Sequence, residues 1–116
     1  NGKISVNDSL YRFLDYETRL LLSLTNAVGA GRMRQATREL VKGYIHGIDS
    51  RALDDVFELL AWNQGIGYFS SEIGPSTLFK AYKTIKNLEH KGVERPQICA
   101  KLKTEFGDKN PDVKVI

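Results

Sequence analysis

The chain has 116 residues, 41% of them hydrophobic and 27% charged, with a formal net charge of +3. That length fits one domain with one modest core. The single Cys99 excludes an internal disulfide and fits an intracellular, cytoplasmic protein; no apolar run is long enough for a membrane span, and no signal peptide is visible.

Residues 1–7 are polar and aperiodic and read as a lead-in, and an N-terminal Asn in place of Met reads as a piece cut from a longer chain. The helical domain is expected over residues 8–107. Asp8-Ser9 offers a cap for a first helix carrying Leu10, Phe13, Leu14, Leu20, Leu21, Leu24 and Val28, with a break possible at Asp15-Tyr16-Glu17-Thr18. Gly29-Ala30-Gly31 stops it. A second helix is expected from about Arg34, with Thr37 a further candidate cap. Leu40, Val41, Tyr44 and Ile45 form its apolar stripe, and Gly47 ends it.

Asp49-Ser50 caps a third helix, from Arg51 to Trp62, whose Leu53, Val56, Phe57 and Leu60 recur at helical spacing. Asp54 and Asp55 are expected in its first turn, where the helix dipole favours acids. Residues 63–67 read as a loop, with a short helical turn from Tyr68-Phe69. Pro75 is expected at the first position of a helix carrying Leu78, Phe79, Tyr82, Ile85 and Leu88 and ending at Gly92. Pro96 opens the last helix, with Ile98, Cys99, Leu102 and Phe106 inside. Residues 108–116 read as a tail whose Val113-Lys114-Val115-Ile116 alternates weakly, as an edge strand would. The expectation is an all-α single domain of five or six short helices.

Catalytic chemistry is hard to find. His46, His90 and Cys99 lie in three separate segments, which speaks against a metal site. Cys99 sits on an apolar stripe and reads as a small core residue. Neither Gly29-Ala30-Gly31 nor Gly65-Ile66-Gly67 has the context of a phosphate loop. No enzyme, cofactor or metal is therefore expected.

Charge is more informative. Residues 51–75 carry a net −3, residues 76–116 a net +4 and residues 1–50 a net +2. Arg34, Arg38 and Lys42 share a helix face, with Arg32 just before them. Lys80, Lys83, Lys86, His90 and Lys91 form a second basic row, opposite Leu78, Tyr82 and Ile85. Such rows suit contact with a nucleic-acid backbone. Asp54, Asp55, Glu58 and Trp62 offer the alternative, an acidic and aromatic face for a protein partner. Trp62, Tyr68 and Phe69 stand by the 63–67 loop, to stack on bases or to fill the gap between helices.

One ordered set of residues has a familial look. Thr37-Arg38-Glu39-Leu40-Val41 is followed by Asp54-Asp55-Val56-Phe57, Trp62 and Tyr68-Phe69. Then come Ile73-Gly74-Pro75-Ser76-Thr77-Leu78-Phe79, Tyr82 and Leu88. Residues 33–88 thereby resemble the conserved C-terminal domain of phage replication proteins, the replisome organisers and helicase-loader-like proteins. Gly74 stands where that family has Arg, and Lys80-Ala81-Tyr82-Lys83 replaces its Lys-Phe step. The resemblance implies a non-enzymatic DNA-replication accessory domain. Its partners would be DNA, through Arg32, Arg34, Arg38, Lys42, Lys80, Lys83 and Lys86, or a replicative helicase or other host replication factor. The physical reading of the motif is a fold signature: Leu78 and Phe79 seat on the Val56/Phe57/Leu60 stripe, with Trp62 packed under the turn.

Overall fold

The computed structural model describes residues 13–107, and among them there are helices and turns and no strand. The order is α1 (Tyr16–Gly29), α2 (Met33–Ile45), α3 (Ser50–Gln64), a single turn α4 (Ile66–Tyr68) leading into a π-helical turn (Phe69–Ile73), α5 (Thr77–His90), and α6 (Arg95–Leu102) closing in a second π-helical turn (Lys103–Gly107). The expected all-α architecture is what forms. No helix among the described residues is long and apolar enough to cross a membrane. The Asp8-Ser9 cap and the 113–116 strand lie outside the described residues.

The chain breaks at 15–18 because Asp15 is a better cap than a helix interior residue. Its backbone is extended, and its carboxylate accepts from the Thr18 N–H at 2.6 Å. Helix α2 begins at Met33, and Thr37 is not a cap: it lies inside the helix, buried, donating its hydroxyl to the Met33 carbonyl at 2.8 Å. Helix α3 starts at Ser50 on the Asp49 cap, so Asp54 and Asp55 fall beyond the first turn, where the dipole has faded. It runs on to Gln64, and residues 66–73 continue as helical turns; the expected 63–67 loop shrinks to Gly65, whose φ of 90° ends α3. Helix α5 is capped by Ser76, which accepts from the Phe79 N–H, so Pro75 stands outside the helix and not at its first position.

Helices α1, α2 and α5 end alike. After α2, the Gly47 N–H bonds the Tyr44 carbonyl and the Ile48 N–H bonds the Gly43 carbonyl, with Gly47 at φ 105°. This left-handed closure satisfies the last carbonyls and folds Ile48 back onto the helix it leaves. A Cβ on Gly43 would lie 2.7 Å from Ile48 Cδ1, so a larger residue there would displace the Ile48 side chain.

Helix α2 is central and packs on α1, α5, α6 and the second π-helical turn. Its Ala36, Leu40, Val41 and Tyr44 join Leu20, Leu24 and Val28 of α1, Leu78, Ala81 and Ile85 of α5, and Ile98 and Leu102 of α6 in one core. Each large aliphatic buried there stabilises the fold by roughly 1.5–3 kcal/mol. Phe79 meets Phe57 edge-on at 5.5 Å, as expected, and Tyr82 stacks on Phe57 at 4.3 Å. Trp62 does not pack under the turn. It stands 79% exposed, while Phe69 packs edge-on against Phe79.

Candidate functional site

The two basic rows lie on α2 and α5. Helices α2 and α5 pack on each other, burying Leu40, Val41 and Tyr44 of one and Leu78, Ala81 and Ile85 of the other. The basic side chains occupy the remaining faces of the two helices. Arg32 and Arg34 are exposed, and Arg38 and Lys42 are half-buried. Arg34 borders a cleft of about 510 Å³ that also holds Ser76, Thr77 and Glu105. On α5, Lys80 and Lys83 are exposed, the Lys83 ammonium 5.8 Å from the Phe79 ring centre. Lys86 leaves the row. Its Nζ lies 3.0 Å from Asp54 Oδ2, across the α3–α5 seam.

That contact also divides the acidic set. Asp54 faces α5, accepting from the Tyr82 hydroxyl and from Lys86. Desolvation raises the Asp54 pKa, but the Tyr82 and Lys86 hydrogen bonds together outweigh it and hold the carboxyl below its usual range. Tyr82 is pushed up, by desolvation first and by Asp54 second. Asp55 and Glu58 point outward, and beside them Leu59 is 55% exposed. Asp55, Leu59 and Trp62 follow one another at four- and three-residue steps, so they share the outer face of α3.

This face borders a groove of about 580 Å³ between α1 and α3. Leu21, Val56 and Leu60 line it, and Leu22 and Leu59 form its lips. Both lip leucines are about half exposed, an apolar surface that burial against a second molecule would remove from water. Of the expected protein-contact residues, Asp55, Glu58 and Trp62 are thus together on one face, and Asp54 is apart from them.

A polar seam among α2, α3, α5 and α6 has no counterpart in the spacing of the sequence. Glu89 of α5 accepts from the Tyr44 hydroxyl at 2.8 Å and from the Ser50 hydroxyl. Lys86 Nζ lies 3.4 Å from the Ser50 oxygen, linking this pair to Asp54. Arg95 lies over the Tyr44 ring, 3.9 Å from its centre, and donates to the Tyr44 and Ile48 carbonyls. Desolvation, then the bond to Glu89, raises the Tyr44 pKa. Ser50 is buried and its hydroxyl donates to Glu89, so with Tyr44, Asp54, Lys86 and Arg95 the seam ties α2, α3, α5 and α6 together.

Among the described residues, no three His, Cys, Asp or Glu side chains gather as metal ligands. Cys99 is half-buried. Compared with protein-family models, with curated proteins and with solved structures, the chain matches none.

Proposed function

We propose that the chain is a non-enzymatic protein-docking domain of the DNA-replication machinery, working through the outer face of α3 and the α1–α3 groove. One observation carries this reading: Leu59 and Leu22 expose apolar surface at a single groove that Asp55 also lines, and Trp62 stands exposed on the same face of α3, three residues on from Leu59 and close to Glu58. Trp is the residue type most often found at the energetic centre of protein interfaces. The replication setting rests on the resemblance of residues 33–88, and a replicative helicase is the partner it points to.

A second reading is DNA-backbone contact through Arg32, Arg34, Arg38, Lys42, Lys80 and Lys83. The shared α2 face and the exposure of Lys80 and Lys83 favour it. Lys86 adds little to it, because Asp54 already meets its charge.

One set of variants separates the two. Purified replicative helicase and a labelled duplex are each titrated with wild type, Trp62→Ala, and an Arg34→Gln/Arg38→Gln/Lys42→Gln triple variant. The docking reading expects helicase affinity to fall about tenfold or more with Trp62→Ala, the loss typical of an interface anchor, while the triple variant leaves it unchanged. The backbone reading expects duplex affinity that falls steeply with salt and collapses in the triple variant. Helicase affinity indifferent to Trp62→Ala overturns the docking reading.

A further inference from the structure

The shape and charge of the α1–α3 groove select a kind of partner, an inference that rests on the docking reading above. The groove follows α1 from Thr18 to Asn26 and α3 from Ala52 to Gln64. At 1.5 Å per residue these walls are roughly 12 and 18 Å long, two to three turns of a helix. A channel between two helices matches the ridge of side chains that a third helix presents every three to four residues. Its floor is apolar, with Leu21, Val56 and Leu60, and Asp55 carries the only charge among the residues lining it. Glu58 is exposed on the outer side of α3. Residues 51–75, which include that wall, have a net charge of −3.

We propose that this groove takes an amphipathic helix of another protein. Its apolar side chains, at i, i+4 and i+7, sit between Leu22 and Leu59. Its Lys or Arg side chains run along the edge that meets Asp55 and Glu58, and Trp62 covers its flank. Charge complementarity selects this occupant. A second copy docked with its two-fold axis across the groove would bring the Asp55/Glu58 edge against itself, a like-charge pairing that disfavours that contact.

The full chain carries its own reporter, since Trp62 is its only tryptophan. Three synthetic peptides of about four helical turns are titrated against it. One has Leu at i, i+4 and i+7 flanked by Lys, the second has the same Leu row flanked by Glu, and the third is a Lys-rich scramble that breaks the row. The proposal expects a saturable blue shift of Trp62 emission with the first peptide. Binding of the second is expected to be about tenfold weaker or less, the scale of a lost charge complementarity. Asp55→Lys/Glu58→Lys reverses that preference. Leu59→Asp, an exposed site, abolishes the shift while the helical circular dichroism is kept. A silent Trp62, an equal response to the scramble, or self-association in sedimentation that Leu59→Asp dissolves overturns the helix proposal. A silent Trp62 with helicase affinity still dependent on Trp62 leaves the docking face standing and removes only the helix. Loss of both dependences removes the docking reading as well.

Discussion

Gly43 shows how one atom sets a helix end. Alanine there would gain about 1 kcal/mol of helix propensity. Its Cβ would also meet Ile48 Cδ1 at 2.7 Å, with Ile48 buried against the core. Overpacking of this kind costs about 1–3 kcal/mol, so Gly43→Ala is expected to lower stability by about 1 kcal/mol net. A urea midpoint measures it, and a stabilised variant would mean Ile48 turns aside freely. Glu39 gives a pH-dependent case. Desolvation raises its pKa, ahead of the opposing pull of Lys42, the Ser23 hydrogen bond and Arg38. A carboxyl with a raised folded pKa binds its proton more tightly when folded. It therefore favours folding below the ordinary glutamate range, and that favour is lost as pH rises through the raised value. Glu39→Gln is expected to melt higher than wild type at pH 7, with the difference vanishing in acid. A constant difference across that range would contradict it. Neither case is legible in the sequence, where Gly43 is an ordinary helix position and Glu39 only one member of the Thr37–Val41 element. Both depend on what the fold brings alongside them.

At the scale of elements, local signals are readable and their competition is not. The Asp49 cap, the glycine stops and the Leu53/Val56/Phe57/Leu60 stripe all do in space what their spacing predicts. The errors arise where two local signals compete. Asp15 takes the cap of α1 within what reads as one helix, Ser76 displaces Pro75, and Thr37 hydrogen-bonds back into its own helix instead of opening one. The α2 C-terminus depends on a residue 51 positions away in sequence from Tyr44. Arg95 donates to the Tyr44 and Ile48 carbonyls and stacks on the Tyr44 ring. Arg95→Ala removes two charge-assisted hydrogen bonds and a cation–π contact, and is expected to cost about 2–4 kcal/mol. Arg95→Lys recovers only part of this, since an ammonium lacks the planar fork that both bonds and stacks. Thermal unfolding of the two variants checks the order, and equal stabilities would show that charge alone matters there.

At the scale of the molecule, the fold redistributes charges that look alike in the sequence. Lys86 and Asp54 belong to opposite expected surfaces, one basic and one acidic, yet they meet across the α3–α5 seam. Helical spacing identifies the face a residue occupies on its own helix, and which helix covers that face is a tertiary fact. The same limit hides the groove: Leu22 and Leu59 each read as an ordinary helical leucine, and only the packing of α1 beside α3 sets them as its lips. Trp62 is the converse: its sequence context allows packing under the turn or a place on an outer face, and the fold leaves it 79% exposed while Phe69 packs on Phe79. The molecule that results has a lipped apolar groove between α1 and α3, the proposed docking face, and basic rows on α2 and α5. Amide hydrogen exchange of the chain with and without the replicative helicase tests that division most directly. Slowed exchange in α1 and in the second half of α3, with residues 32–42 and 80–86 unchanged, is the predicted result. Protection confined to those basic segments, and produced equally by duplex DNA, would contradict it.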